Sequence, residues 1–155
     1  MSRSTEKPAS LAFLIDTNVI LDVVLDRHQW ASDAAILFDL IVRGKARGYV
    51  ASHSITTIAY LVQRTAGRVA AATSIADLLG ILAVVPLDAA DFQRALAMGL
   101  NDYEDAVQVA ASLKVGATAV VTRNSRDYVG GPAKCLSAGE AVALVDGMGK
   151  QPVTK

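Results

Sequence analysis

From Leu11 onward the chain alternates short, wholly apolar runs with longer segments in which apolar residues recur every three or four positions. The short runs are Leu11–Ile15, Gly48–Ala51, Leu82–Val85 and Ala117–Val121. They lack the regular polar–apolar alternation of a sheet with one wet face, so they predict strands covered on both sides, in a mostly parallel sheet. The longer segments predict helices over Val19–Leu25, Ala34–Arg43, Ile58–Thr65, Val69–Leu79, Ala89–Met98, Ala106–Lys114 and Ala141–Val145. Helix-start chemistry fits this division. Asp16-Thr17-Asn18 opens the first helix, and Ser32 or Asp33 serves the second. Ser54 or Thr56 serves the third, Asp88 the fifth and Asn101 or Asp102 the sixth, while Ser137 and Glu140 form a capping box for the last. Gly44, Gly67 and Gly116 end or separate helices. The expected fold is therefore α/β: three layers, α/β/α, around a central, mostly parallel sheet of four or five strands. Residues 1–10 and 147–155 show no apolar period and are expected to be flexible tails around one domain over 11–146.

Composition narrows the function more than the fold. With 155 residues, 52% of them hydrophobic, the chain has material for one core and too little length for two ordinary domains. No apolar run approaches the roughly 20 residues of a membrane span, and nothing after Met1 has the form of a signal peptide, so a cytoplasmic location without membrane contact is expected. Fifteen basic residues balance fifteen acidic ones, so nucleic acid would have to be held by local patches rather than by a basic surface. A lone Cys135 makes no internal disulfide, and with His28 and His53 far apart a zinc site is not indicated.

The candidate chemistry lies in acids at the ends of strands. Asp16 directly follows the first apolar run, and Asn124 and Asp127 follow the fourth, so both groups face one crevice if those strands are neighbours. Asp102 and Asp105, three apart at a helix start, share a face, with Glu104 between them. Carboxylates gathered without a basic partner raise one another's pKa, a cost that a divalent cation removes. Oxygen-only donors favour magnesium or manganese. Each acid also has a structural account: Asp102 as an N-cap, Asp105 as an N3 acid favoured by the helix dipole, Asn124 and Asp127 as turn formers. Asp16 is harder to explain this way, because a charge at a buried strand end is costly. Asp22 reads as a solvated residue or one that supports a ligand, and His53 as a packing or hydrogen-bonding residue.

Three segments, Leu14-Ile15-Asp16-Thr17-Asn18-Val19-Ile20-Leu21-Asp22, Asn101-Asp102-Tyr103-Glu104-Asp105-Ala106 and Val121-Thr122-Arg123-Asn124-Ser125-Arg126-Asp127-Tyr128, resemble in order and spacing the acidic motifs of PIN domains, the fold of VapC-type toxin ribonucleases. The similarity runs from about Leu11 to Val145. It implies that Asp16, Asp105 and Asp127 are the catalytic, metal-binding acids, with Asn124 beside them. It further implies an Mg2+- or Mn2+-dependent endoribonuclease acting on RNA, with an antitoxin protein and a second copy of the chain as partners. There is one departure. In Ser54-Ile55-Thr56-Thr57-Ile58-Ala59-Tyr60-Leu61, Tyr60 stands where many PIN domains carry a metal-site Glu, so the pocket either recruits Asp102 or Glu104 or binds metal more weakly. Arg123 and Arg126, with Thr122, are the expected phosphate-binding residues, ahead of Arg27, Arg64 and Arg68. Two other readings compete. One is a PIN-fold nucleic-acid- or protein-binding module with weak or lost catalysis. The other is a phosphate enzyme or phosphoacceptor, whose second acid near Asp16 is absent.

Overall fold

The computed structural model describes residues 10–128 and 131–149, the Asp127 side chain excepted. Five parallel strands form one sheet: β1 (Ala12–Ile15), β2 (Arg47–Ala51), β3 (Ala83–Val85), β4 (Ala119–Val121) and β5 (Cys135–Leu136), in the order β3-β2-β1-β4-β5. β1 is the hub. It pairs with β2 from Ala12↔Arg47 to Leu14↔Tyr49 and with β4 from Phe13↔Ala119 to Ile15↔Val121. After β3 the chain crosses to the other side of β1, so the gap between the β1 and β4 carboxyl ends is the switch point at which parallel sheets bind ligands.

Pleating sends alternate β1 side chains to opposite layers. Phe13 and Ile15 pack against α1 (Thr17–Val24), α2 (Ala31–Val42), α3 (Ser52–Ala66), α4 (Arg68–Ile81) and α7 (Ala138–Met148). Leu14 packs with Val120 and Val85 against α6 (Tyr103–Val115), which carries α5 (Ala89–Ala97) on its outer side. This is the three-layer α/β/α arrangement expected from the apolar runs. Packing is tight at position 48 in β2: a Cβ on Gly48 would lie 2.5 Å from Leu82 Cδ2 and 2.9 Å from Ile41 Cδ1, so those side-chain ends would have to shift.

Element boundaries differ where local signals were weak. β5 was not among the strand segments read from the sequence, being two residues long beside polar Lys134 and Ser137. α3 starts at Ser52, before the expected Ser54 or Thr56, because the Ser54 hydroxyl is buried in a hydrogen bond with Thr17 instead of capping. α2 starts at Ala31 with no side-chain cap, so neither Ser32 nor Asp33 serves it. Asp88, Asp102 and Ser137 do cap, each accepting from a backbone N–H three residues on, and Asp88 and Ser137 complete capping boxes with Asp91 and Glu140. α7 continues through Met148, and residues 1–9 and 150–155 of the expected tails lie outside the described residues. Among the described residues no helix is long and apolar enough to cross a membrane.

Candidate metal centre

Asp16 occupies the N-cap position of α1 with extended backbone (φ −63°, ψ 148°), yet its side chain makes no capping hydrogen bond. The carboxylate turns into the switch point instead. It is 4% exposed, Thr122 Oγ1 approaches its Oδ2 at 3.5 Å, and its buried Oδ1 has no hydrogen-bond partner among the described residues. Burial, then the negative charges of Glu104 and Asp105, push its pKa from 3.8 up to about 7. A buried carboxylate facing two further acids, with one oxygen unpartnered, has the donor chemistry of half a cation site.

The other half comes from the start of α6. Asp102, Glu104 and Asp105 each offer a carboxylate oxygen, all within 4.8 Å of one another. Asp102 Oδ1 also accepts from the Asp105 N–H at 3.0 Å, so its structural role as N-cap is real and coexists with its place in the cluster. Asp105 Oδ1 accepts from the Tyr128 hydroxyl at 3.0 Å. Burial and the charges of Asp16 and Asp105 drive the Tyr128 phenol far above its ordinary value, so it stays a neutral donor.

Glu104 Oε1 accepts from His53 at 2.9 Å and from Gln108 Nε2 at 2.8 Å. Burial alone would raise its pKa, but the hydrogen bonds of His53 and Gln108, the His53 charge and a Thr17 contact outweigh it and hold Glu104 below its ordinary value. Gln108, fully buried, also donates to Thr17 Oγ1 at 3.2 Å and to Ser54 Oγ at 3.0 Å, tying α1, α3 and α6 together behind the carboxylates. These donor sets fit a hard divalent cation: oxygen ligands only, with no competing thiolate. The Cys135 thiol is raised by burial and by Asp105 and Asp16 to about 11, so it stays protonated at neutral pH.

The structure thus brings Asp16, Thr122, Asp105, Glu104 and Asp102 to one sheet end. Asn124 and Arg126 are exposed on the turn beyond β4, where the Asn124 N–H bonds Thr122 Oγ1 at 3.3 Å. Asp127 lies in the 3₁₀ turn Ser125–Tyr128, and its side chain is outside the described residues. Thr122 is buried, with its hydroxyl engaged by Asp16. Arg123 leans away from the acids: its Nε lies 3.2 Å from Asp22 Oδ2 and its guanidinium stacks 4.3 Å over the Trp30 ring. Asp22 is not solvated. It is 1% exposed, with Arg27 on its other oxygen at 3.6 Å. Tyr60 is 59% exposed on α3, its hydroxyl accepting from Arg64 at 3.3 Å. Sequence reasoning assigned no role to Tyr128 or Gln108. The spacing of Gln108 four residues after Glu104, inside an otherwise apolar helix face, was the available signal.

Two solved structures share the fold. One is a chain of VapBC2 from Rickettsia felis, solved bound to a DNA fragment from their promoter (TM-score 0.64, 11% identity, 82% of this chain and 98% of that chain covered). The other is the Mycobacterium tuberculosis toxin VapC20, which cleaves the sarcin-ricin loop (TM-score 0.62, 17% identity, coverage 77% and 95%). No curated protein is a significant sequence match. The profile of the PIN domain family matches residues 12–126, a span that holds Asp16, Asp102, Glu104, Asp105 and Thr122. The chain belongs to the PIN domain family.

Proposed function

We propose that this chain is a divalent-metal-dependent endoribonuclease that hydrolyses RNA phosphodiester bonds, the toxin of a toxin-antitoxin pair. The observation that carries the reading is Asp16: a helix-start acid that does not cap, buried at the sheet's switch point, pushed up to about 7 by its surroundings. A fold that keeps such a group keeps a standing cost unless a cation offsets it. Asp16, Asp105, Glu104 and Asp102 would hold magnesium or manganese, with Asp127 and Asn124 contributed by the turn after β4. When bound, the ion supplies Lewis-acid polarisation of the scissile phosphate and activation of a water.

The chain's own residues prepare that chemistry. Thr122 and Tyr128 orient Asp16 and Asp105 by hydrogen bonds. His53 and Gln108 keep Glu104 ionised, and since His53 belongs to α3, Glu104 reaches toward the helix on which Tyr60 replaces the usual acid. Arg126, exposed on the turn after β4, would meet a phosphate. RNA as substrate is supported by the three acidic motifs and by the fold shared with a toxin that cleaves the sarcin-ricin loop. An antitoxin covering the crevice, a homodimer and a cytoplasmic location belong to the same reading.

The test is cleavage of a mixed RNA pool with added magnesium or manganese. Asp105→Asn is expected to lower the rate about 100-fold or more, because it removes a charge that holds the ion. Equal cleavage by both proteins would place the activity elsewhere. The second reading, a PIN-fold binding module without catalysis, is favoured by Tyr60 alone. Titration calorimetry with Asp16→Asn as control separates the two: no metal binding by wild type at millimolar concentration would sink the nuclease.

A further inference from the structure

Beside the carboxylates, on the far side of Thr122, lies a second concavity of about 190 Å3, whose walls include Val19, Asp22, Trp30, Thr122, Arg123 and Ser137. It is smaller than the roughly 300–1,000 Å3 of pockets for drug-sized ligands, on the scale of a single planar ring system. Its wall holds two flat groups fixed against each other, with the Arg123 guanidinium 4.3 Å over the Trp30 ring. Behind them, Asp22, almost wholly buried, pins Arg123 at 3.2 Å. Trp30 nonetheless remains 44% exposed, so part of its aromatic surface is open to a ligand.

A phosphate is a poor occupant. Two acids in the walls, Asp22 and Asp33, stand against Arg123 and Arg27, which share Asp22 between them. A neutral, flat, polarisable ring suits them, because indole and guanidinium faces are the platforms on which unpaired bases stack. Thr122 lines this concavity and also donates to Asp16, so a nucleotide seated here lies next to the acidic pocket.

We propose that the Trp30–Arg123 stack is a nucleobase subsite, which receives one unstacked base of the RNA while the neighbouring phosphodiester lies at Asp16. The subsite rests on the nuclease reading, and Asp22 is its positioning residue. The cut would then fall beside a base that can swing out of its helix.

Trp30 is the chain's single tryptophan, so its fluorescence reports on the subsite directly. The full chain in EDTA is titrated with a short single-stranded oligoribonucleotide and with the same backbone made abasic. Quenching by the first and little by the second is expected. By anisotropy of labelled RNA, Trp30→Ala is expected to bind about tenfold more weakly, with Trp30→Phe restoring most of the affinity. Equal quenching by the abasic strand, or Trp30→Ala binding within twofold of wild type with an unchanged circular dichroism spectrum, would overturn the subsite. Metal-dependent cleavage that is lost in Asp105→Asn but unchanged in Trp30→Ala would leave the nuclease and remove the subsite. Base-dependent quenching without any metal-dependent cleavage would do the reverse.

Discussion

Asp16 concentrates the energetic tension of the molecule in one carboxyl group. Below pH 3.8 it is protonated in the folded and the unfolded chain alike. Between 3.8 and about 7 the unfolded chain releases the proton while the folded chain keeps it, so metal-free stability falls as pH rises through that window. Above it the folded state carries the whole penalty, on the order of 4 kcal/mol at most. In EDTA, Asp16→Asn is therefore expected to be more stable than wild type above neutral pH and to flatten the slope of stability between these values. Urea denaturation across that range measures both, and an Asn variant no more stable than wild type would mean that Asp16 is relieved by some other group. The position of Asp16 after an apolar strand was readable in the sequence, and so was its cost. The burial of Asp22 was not, because one of its guanidinium partners, Arg123, lies about a hundred residues away and no local spacing announces it.

At the scale of elements, helix starts carried the most legible information. Asp88, Asp102 and Ser137 cap as their residue types predict. Ser32, Asp33 and Ser54 do not, and the reason at Ser54 is tertiary: a buried hydroxyl bonded to Thr17 and Gln108 is worth more than a cap. The same competition hid β5, which exists because β4 offers it an edge and not because Cys135-Leu136 has strand character of its own. Gln108 shows how such tertiary polar contacts matter. Replacing it with Leu removes the donor shared by Glu104, Thr17 and Ser54, leaving the buried Thr17 oxygen without a donor and Glu104 with His53. The variant is expected to lose about 1–3 kcal/mol in urea denaturation. Because Gln108 would support the proposed ligand Glu104 without being one itself, metal affinity is expected to fall about 10–100-fold by calorimetry. Unchanged metal affinity in a destabilised variant would confine Gln108 to packing.

For the whole molecule, the balance of fifteen basic and fifteen acidic residues bears on how RNA would be gripped under the proposed function. With the crevice itself acidic and Arg123 paired with Asp22, the proposed function leads us to expect about two or three phosphate contacts near the cut. Single-stranded binding loses roughly 0.7 in log–log salt slope per phosphate neutralised, so a slope of about −1.4 to −2.1 is expected. A slope steeper than about −4 would mean that a broader basic surface grips the RNA. The three-layer architecture was legible from the apolar runs because strands buried on both faces leave a clear signature. The strand order was not, since nothing local states that β4 crosses to the far side of β1.

That crossing has a consequence during synthesis. Thr122 is separated from Asp16 by 106 residues, and Glu104 from its partner His53 by 51. Chains fold from the amino end as they emerge. A nascent chain can therefore pair β1 with β2 and β2 with β3 before α6 brings its acids to Asp16, and the loop that must close to bring β4 home is among the longest the molecule contains. Under the proposed function, the centre is assembled only once β4 has been made and has reached β1. A ribosome stalled before β4 is expected to leave three strands and an unfinished pocket.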